Sequence, residues 1–272
     1  MINWARLAVF DLETTGVDTE TSRIVSACIA VLNGQGLVTA RWDWLADPGV
    51  EIPAGATAVH GISTDRARQY GRDAHTVVAE IAQSLRVLFD LGVPVVIFNA
   101  PYDLTLLDRE CRRHSVAPLQ NPGPVIDPLV IDKALDRYRR GKRTLVATAD
   151  LLGVALDVAH DAGADAIAAG RVALAQASAF GRELDMTPDE LHQRQAVWFS
   201  DQAARFTEYI RRISSDDTFR APAEWPVQPF PHHARMNAAS MDGTLVDMTL
   251  VDRSLPTGDA SYLASFLAPN PA

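Results

Sequence analysis

Apolar and polar residues alternate along the chain with the periods of strands and helices. The run LAVFDLE, Leu7 to Glu13, has the length and composition of a strand. Two further segments, Arg23 to Leu32 and Leu37 to Leu45, flank Asn33-Gly34-Gln35-Gly36, which is a hairpin signal. We therefore expect these three strands to pair as an antiparallel half-sheet.

The next part of the chain alternates between helical and strand patterns. Ala74 to Leu91 carries its apolar residues on one helical stripe, and Gly92 is placed to end that helix. Val93 to Phe98 is a short apolar run, as expected of a strand covered on both faces. The remaining predicted elements are a helix from Pro101, a strand near Val125-Ile126, and helices from Asp127, over Thr144 to Leu152 and from Asp165. This order predicts an α/β fold with a mixed five-stranded sheet flanked by helices.

The pattern changes beyond about Phe180. Thr187-Pro188-Asp189-Glu190 is a capping pattern, and it predicts a helix to Arg212. We expect its apolar stripe to pack back on the core: Leu191, Trp198, Phe199, Ala203, Phe206 and Ile210. Three units are predicted: a main domain over 1–180, a helical extension over 181–221 and an irregular tail over 222–272. The tail is expected to be extended or weakly ordered, with a possible strand over Gly243 to Val251 and a solvated His232-His233 pair.

Two carboxylates stand at the end of the first predicted strand. Side chains of a strand alternate between faces, so Asp11 and Glu13 project from the same face. Neighbouring carboxylates repel and are costly to bury, and a cation between them removes both costs. Thr14-Thr15-Gly16 then offers hydroxyls and a flexible turn to a phosphate or sugar. The alternative is that both acids are simply solvated at a strand end.

Two later segments add acidic groups and a histidine. Asn99 is predicted to cap the helix that follows it, which puts Asp103 in the first turn, near the carboxyl end of a strand. Asp165 lies near the start of another predicted helix, and His160 lies on the loop before it. An imidazole is a natural base for activating water at neutral pH. Taken singly, Asp103 could complement a helix dipole and His160 could be a surface residue.

Taken together, the motifs FDLETTG, N-x-x-Y-D and H-x(4)-D resemble the DEDDh branch of the DnaQ-like 3′-to-5′ exonucleases. That family includes proofreading subunits of bacterial replicative polymerases, RNase T and oligoribonuclease, and its T-x-x-H-G-I stretch resembles TAVHGIS here. The resemblance implies a ribonuclease-H-like fold. It also implies two divalent ions, Mg²⁺ or Mn²⁺, on Asp11, Glu13, Asp103 and Asp165, with His160 as the base. Asp161 and Gly163 depart from the family pattern.

The same resemblance suggests a substrate and a partner. It implies release of nucleoside monophosphates from the 3′ end of single-stranded or frayed DNA, or of RNA, by the 1–180 domain. Five residues are expected to hold the terminal nucleotide: Leu12, Thr14, Thr15, His60 and Asn99. A DNA polymerase is a possible partner. A different class stays open, namely an accessory module that binds nucleic-acid ends or a polymerase with little catalysis.

Composition limits these hypotheses only in part. The net charge of −9 argues against tight duplex binding, because phosphate affinity rests on Lys and Arg. Arg137 to Arg143 is nevertheless strongly basic, and either a solvated helix end or a phosphate contact with Tyr138 on a base explains it. Cys28 and Cys111 are too few for a disulfide framework or a zinc site. With no leader pattern or long apolar run, we expect a cytoplasmic protein without a membrane partner.

Overall fold

The computed structural model describes residues 4–156, 162–214 and 216–230. Six strands form one mixed sheet in the order β4-β3-β2-β1-β5-β6. The strands are β1 (Arg6–Thr14), β2 (Ile24–Asn33), β3 (Val38–Asp47), β4 (Arg72–Asp73), β5 (Val95–Val96) and β6 (Val125–Ile126). β1, β2 and β3 pair antiparallel, whereas β5 and β6 run parallel to β1. Because parallel strands end at the same edge, the carboxyl ends of β1, β5 and β6 lie together.

Helices cover both faces of the sheet. They are α1 (Ala54–His60), α2 (Thr64–Tyr70), α3 (Ala74–Asp90), α4 (Ala100–Arg113), α5 (Pro128–Leu135), α6 (Leu145–Leu151), α7 (Ala162–Ala179) and α8 (Pro188–Ser214). Among the described residues, no helix combines the length and the apolar character needed to cross a membrane.

The alternation of side chains in β1 divides the core into two layers. Ala8, Phe10 and Leu12 pack with residues of α3 and α4 on one face. Leu7 and Val9 pack on the other face with residues of α5, α7 and α8. Asp11 and Glu13 continue this second face beyond the apolar layer, as the period of two predicts.

Helix α7 lies very close to the sheet. A Cβ atom on Gly170 would stand 2.5 Å from side-chain atoms of both Val9 and Leu32. Only a residue without a side chain fits there, and the many alanines of α7 continue this close packing. The helix that carries Asp165 in its first turn is therefore held directly against β1 and β2.

Most elements lie where the hydrophobic pattern predicts them, with two differences in the sheet. The prediction of a mixed α/β sheet flanked by helices is confirmed, and the hairpin turns at Asn33, whose side-chain oxygen accepts hydrogen bonds from Gln35 and Leu37. The sheet has six strands rather than five, because Arg72–Asp73 adds a two-residue edge strand beside β3. The predicted strand from Val93 to Phe98 shortens to Val95–Val96.

The C-terminal part of the described chain packs on this core. Thr187 and Glu190 form the predicted capping box: Glu190 accepts from the Thr187 amide and Thr187 accepts from the Glu190 amide. In α8, Leu191 and Ala203 are buried and Trp198 is partly buried, but Phe206 is half exposed and contacts Phe219. Residues 222–230 have irregular backbone and lie against α4. His232-His233 and Gly243 to Val251 lie outside the described residues.

Candidate active site

The end of β1 holds the first two predicted metal ligands. Asp11 pairs with Cys28 of β2, and Glu13 pairs with Ser26, so both project toward the α7 side of the sheet. The ladder is interrupted between Glu13 and Thr14, where the register shifts. Such irregularities re-aim side chains at the end of a strand. Both acids are partly buried and lie at the carboxyl edge of the sheet.

Asp103 reaches this strand end from the opposite face. Its Oδ1 atom accepts a hydrogen bond of 3.1 Å from the backbone amide of Leu12. The Ala8 amide donates toward β5 at Pro94, and a period of two turns the Leu12 amide to the same side. β5 ends at Val96, so Asp103 takes the place of a missing strand partner. This contact fixes Asp103 beside Asp11 and Glu13.

Asp103 has strongly perturbed electrostatics. Its side chain is buried, and burial raises its pKa well above the ordinary value. The hydrogen bond from Leu12 opposes that shift, whereas the nearby charges of Asp127 and Glu13 raise the pKa further. A buried carboxyl group among other carboxylates is stabilised by a proton or by a metal cation.

Tyr102 is a site residue that the sequence reasoning missed. Its hydroxyl donates to the Gly16 carbonyl at 2.6 Å and lies 2.5 Å from the Thr14 hydroxyl, which also donates to Gly16. Burial and the charges of Asp103, Glu13 and Asp11 raise its pKa to about 12. A phenol within electrostatic reach of all three carboxylates stays neutral and fixes the turn after β1. The tyrosine of N-x-x-Y-D was the available signal.

The predicted capping role of Asn99 is wrong in detail. Asn99 stands at the start of α4 in the left-handed region, with φ of 67°, and its side chain makes no capping hydrogen bond. The carboxylate of Asp127 does that work, because it accepts from the backbone amides of Asn99 and Ala100 at 3.0 and 2.9 Å. It also caps its own helix through Leu129. Asp127 is fully buried, and burial raises its pKa.

Helix α8 holds Asp127 from outside the sheet. The side-chain oxygen of Gln195 accepts from the Asp127 amide at 2.6 Å, and its nitrogen donates to the Val125 carbonyl at 2.9 Å. Nδ1 of His192 accepts from the Val125 amide at 3.0 Å. Two side chains thereby replace a strand on the outer edge of β6. Helix α8 thus supports Asp127, which caps α4, the helix that carries Asp103. The periodicity of the sequence could not indicate this contact.

The third predicted group is described only in part. Asp165 lies in the first turn of α7 and is partly buried, while His160 and Asp161 lie outside the described residues. Gly163 departs from the family pattern, and the structure gives a reason. The Arg41 guanidinium lies so close that a Cβ atom on Gly163 would overlap Nη2. Arg41 also forms an ion pair with Asp43 at 2.7 Å.

His60 lies beside the turn after β1. Its Nδ1 atom accepts from the Ile62 amide at 3.1 Å, so the neutral ring carries its proton on Nε2. Burial lowers its pKa, which keeps the ring neutral, and the Thr14 backbone beside the ring opposes that shift. Nε2 is buried, and apart from this approach to Thr14 no hydrogen bond to it forms within the described part of the chain. Of the other predicted substrate contacts, Leu12, Thr14 and Thr15 are also buried.

The donor set suits a divalent cation, but it is not a preformed cage. Carboxylate oxygens from β1, α4 and α7 are the hard ligands that Mg²⁺ or Mn²⁺ prefers. Across residues 4–156, 162–214 and 216–230, no three His, Cys, Asp or Glu side chains converge closely enough to hold a metal ion as they stand. The acids would have to turn toward a common point. The backbone positions of these acidic residues lie at one edge of the sheet.

This architecture matches known proteins. The sequence model of the RNase_T family, described as Exonuclease, matches residues 8–173. The chain is 32% identical over 165 residues to a DNA polymerase III subunit epsilon-like protein of Rhodobacter capsulatus, covering 59% of this chain and 22% of that one. It is 28% identical over 202 residues to a PolC-type DNA polymerase III of Lacticaseibacillus paracasei, covering 74% and 13%. The chain therefore spans less than a quarter of either relative.

Solved structures show the same fold. A zinc-bound complex of Escherichia coli exonuclease I with single-stranded DNA aligns with a TM-score of 0.54 and 19% identity, over 66% of this chain and 42% of that one. Exonuclease I of Methylocaldum szegediense aligns with a TM-score of 0.52 and 20% identity, over 65% and 41%. The matched region begins in β1, which carries Asp11 and Glu13, and ends within α7, which carries Asp165. The chain belongs to the RNase_T exonuclease family.

Proposed function

We propose that the protein is a metal-dependent 3′-to-5′ exonuclease that releases nucleoside monophosphates from single-stranded or frayed ends. The observation that supports this most is the buried Asp103, which is hydrogen-bonded to β1 beside Asp11 and Glu13. Dependence on divalent metal is general in the family. The reduced, buried cysteines suit the cytoplasm, which we propose as its compartment.

Four carboxylates are the proposed metal ligands. Asp11, Glu13 and Asp165 would hold one ion, and Asp11 with Asp103 would hold the second. When bound, two ions of Mg²⁺ or Mn²⁺ supply an acidified water and stabilise the leaving 3′ oxygen. His160 is the proposed base that takes the proton from the attacking water.

The turn after β1 is the proposed seat of the terminal nucleotide. Thr14 and Tyr102 fix the Gly16 carbonyl, so the Thr14-Thr15-Gly16 backbone has one defined shape. His60 lies against the Thr14 backbone beside this turn with Nε2 buried, so a contact with a sugar or phosphate oxygen requires the ring to turn toward the nucleotide. Leu12 and Asn99 complete the proposed contacts, with Leu12 as the apolar surface under the base.

The carboxylates of the candidate site also argue against the alternative, an accessory module with little catalysis. An accessory module that binds ends or a polymerase does not need a buried acid with a raised pKa next to two further acids. Such an arrangement is costly to a fold and is usual in active sites. A polymerase partner remains compatible with the exonuclease proposal, because two relatives carry DNA polymerase III names.

A panel of 5′-labelled single-stranded DNA and RNA oligonucleotides tests the proposal. We expect a product ladder that shortens from the 3′ end, that is slowed by a blocked 3′ hydroxyl, and that disappears with chelator and returns with Mg²⁺ or Mn²⁺. Efficient cutting of circular single strands would contradict exonuclease action. Robust hydrolysis after exhaustive metal removal would contradict the metal mechanism.

A further inference from the structure

The segment from Arg137 to Arg143, here named the basic loop, connects α5 to α6 and carries five cations in seven residues. Two of the five are used inside the protein. Arg139 and Arg143 both bind the buried carboxylate of Asp132, with nitrogen-to-oxygen distances of 2.8 and 2.5 Å. Arg143 also donates to the carbonyls of Asp132 and Asp136. These bonds give the loop a fixed shape without a helix or a strand.

The fixed loop turns its other side chains outward. Arg137, Arg140 and Lys142 are exposed, and Tyr138 is 85% exposed. The Arg137 guanidinium lies 5.5 Å from the centre of the Tyr138 ring. An aromatic ring so far from any core contributes little to folding. Proteins that bind single strands commonly place an aromatic ring beside cations, so that the ring stacks on a base while the cations bind phosphates.

A shallow groove adjoins the basic loop. It has a volume of about 480 Å³ and is lined by residues of α6 and its flanks from Lys142 to Leu156, and Asp150 also lines it, so attraction of phosphates rests on the loop itself. Helix α6 packs against α7, the helix whose first turn carries Asp165. A strand bound at the basic loop would lie beside this helix pair.

Charge selects the occupant. The whole chain has a net charge of −9, so most of its surface repels a polyanion. A local group of exposed cations on such a protein attracts phosphates at one place and leaves the rest of the surface unfavourable. A neutral peptide would gain nothing from the three cations. An acidic peptide would pair with the cations but has no planar base to stack on the exposed Tyr138 ring, whereas a single-stranded nucleic acid uses both features.

We infer that the basic loop is a binding surface for single-stranded nucleic acid, in which Arg137, Arg140 and Lys142 contact phosphates and Tyr138 stacks on a base upstream of the 3′ end. This inference rests on the proposed exonuclease function. The basic loop would bind the upstream part of long strands, and the turn after β1 would bind the terminal nucleotide.

The test compares two triple variants that remove the same charge. One is Arg137→Ser, Arg140→Ser, Lys142→Ser. The control is Arg182→Ser, Arg194→Ser, Arg212→Ser, at exposed positions on and before α8. Fluorescence anisotropy measures binding of 20-nucleotide DNA and RNA single strands at several salt concentrations, with turnover blocked by Asp11→Asn in every protein.

For the loop variant we expect the slope of log K against log salt to become shallower by about 2, at about 0.7 for each phosphate that the loop no longer neutralises. The control slope should stay unchanged. Tyr138→Ala should weaken binding by about five-fold or more, whereas Tyr209→Ala, which removes a tyrosine also paired with an arginine, should not. Equal slopes for the two triple variants would overturn the inference.

Turnover measurements separate this inference from the proposed function. With Asp11 intact, the loop variant should show a raised KM on 20-nucleotide strands and a smaller rise, or none, on dinucleotides, which lack the upstream phosphates that the loop is inferred to bind. A loop that binds strands in a protein without nuclease activity would overturn only the proposed function. An unchanged KM on long strands would overturn only the inference.

Discussion

The region matched by the exonuclease family and the described C-terminal part of the chain, residues 181–230 and here called the extension, contribute different things to the molecule. Residues 8–173 supply every described carboxylate of the candidate site, on β1, α4 and α7. The extension supplies none, and instead it makes hydrogen bonds that hold the elements of that region. Gln195 and His192 bind the backbone of Val125 in β6, and the Gln228 amide donates to the Thr105 hydroxyl of α4 at 2.9 Å.

A second contact of the extension meets α4 one turn farther along. Arg109 is buried, pairs with Glu20 of the turn after β1 at 2.9 Å, and donates to the Pro229 carbonyl at 2.9 Å. The Phe230 ring lies 5.1 Å from its guanidinium. The extension therefore contacts the helix of Asp103 and, through Arg109, the loop beside the predicted nucleotide pocket.

This difference follows from the cost of burying acids. The family region must keep several carboxylates close together, and that arrangement opposes folding until a proton or cation compensates. The extension adds neutral amides and backbone contacts, which satisfy buried polar groups without adding charge. We infer that the extension offsets part of the cost of the site. Substitutions in the two regions should therefore separate turnover from stability.

The largest effect is expected for Asp11→Asn. Loss of one anionic ligand should reduce turnover by about three orders of magnitude or more. The free energy of unfolding without metal should stay unchanged or rise, because a repelling charge is removed. Steady-state kinetics and urea unfolding on one preparation measure both quantities. Near wild-type turnover would show that Asp11 is not a ligand.

His160→Ala should have the next largest effect. A positioned base contributes about two to four orders of magnitude to the rate, so turnover should fall by that amount with little change in metal affinity. Asp161→Ala, at the next position in the sequence, is the matched control and should change turnover much less. If His160→Ala lowered the melting temperature and left the rate per folded molecule intact, the histidine would be structural.

Gln195→Ala tests the extension. It removes the hydrogen-bond partners of the buried Asp127 amide and the Val125 carbonyl, which should cost about 2–4 kcal/mol of unfolding free energy. Gln202→Ala, on the same helix, removes one bond to the Val130 carbonyl and should cost less.

Turnover distinguishes support of the site from general stability. If Asp127 positions α4, Gln195→Ala should lower kcat per folded molecule, and Gln202→Ala should not. Equal losses of stability for the two variants, with kcat unchanged in both, would show that α8 is a passive cover for the sheet edge.

The sequence was sufficient for most elements, though not for α1, α2 or β4, and for the positions of the acids along them. The period of two in Leu7 to Glu13 placed Asp11 and Glu13 on one face, and the short apolar run before Asn99 put Asp103 in the first turn of a helix. Both inferences need only local geometry. The prediction that α8 begins with a capping box also rests on four adjacent residues, and it is confirmed.

Contacts between distant residues could not be predicted in this way. Asp127 caps a helix that begins 27 residues before it, and Gln195 reaches Asp127 across 68 residues. Nothing in the local pattern separates Gln195 from the other polar residues of an amphipathic helix. Asn99 looked like a cap by residue type, but its left-handed backbone passes that role to Asp127. The basic run was ambiguous because its charges divide between inward and outward positions.

The smallest predicted effect is a pH dependence that separates the two regions. His192 in the extension and His60 in the family region both have pKa values lowered by burial. In the unfolded chain each histidine titrates near 6.5, so below that pH the unfolded state binds protons that the folded state resists. Stability should be fully present above about pH 6.5 and should fall as the pH drops toward the lowered values.

His192→Gln should remove part of this loss of stability at low pH. The glutamine oxygen can still accept from the Val125 amide but cannot be protonated, so the difference in unfolding free energy between pH 7.5 and pH 5.5 should become smaller than in the wild type. His60→Gln should remove a similar part and should also raise KM, because His60 is a proposed contact of the terminal nucleotide. Urea unfolding at both pH values, together with KM at pH 7.5, measures these effects. A pH dependence unchanged by His192→Gln would show that this histidine does not link the extension to the sheet, and a raised KM in that variant would show that the extension reaches the substrate directly.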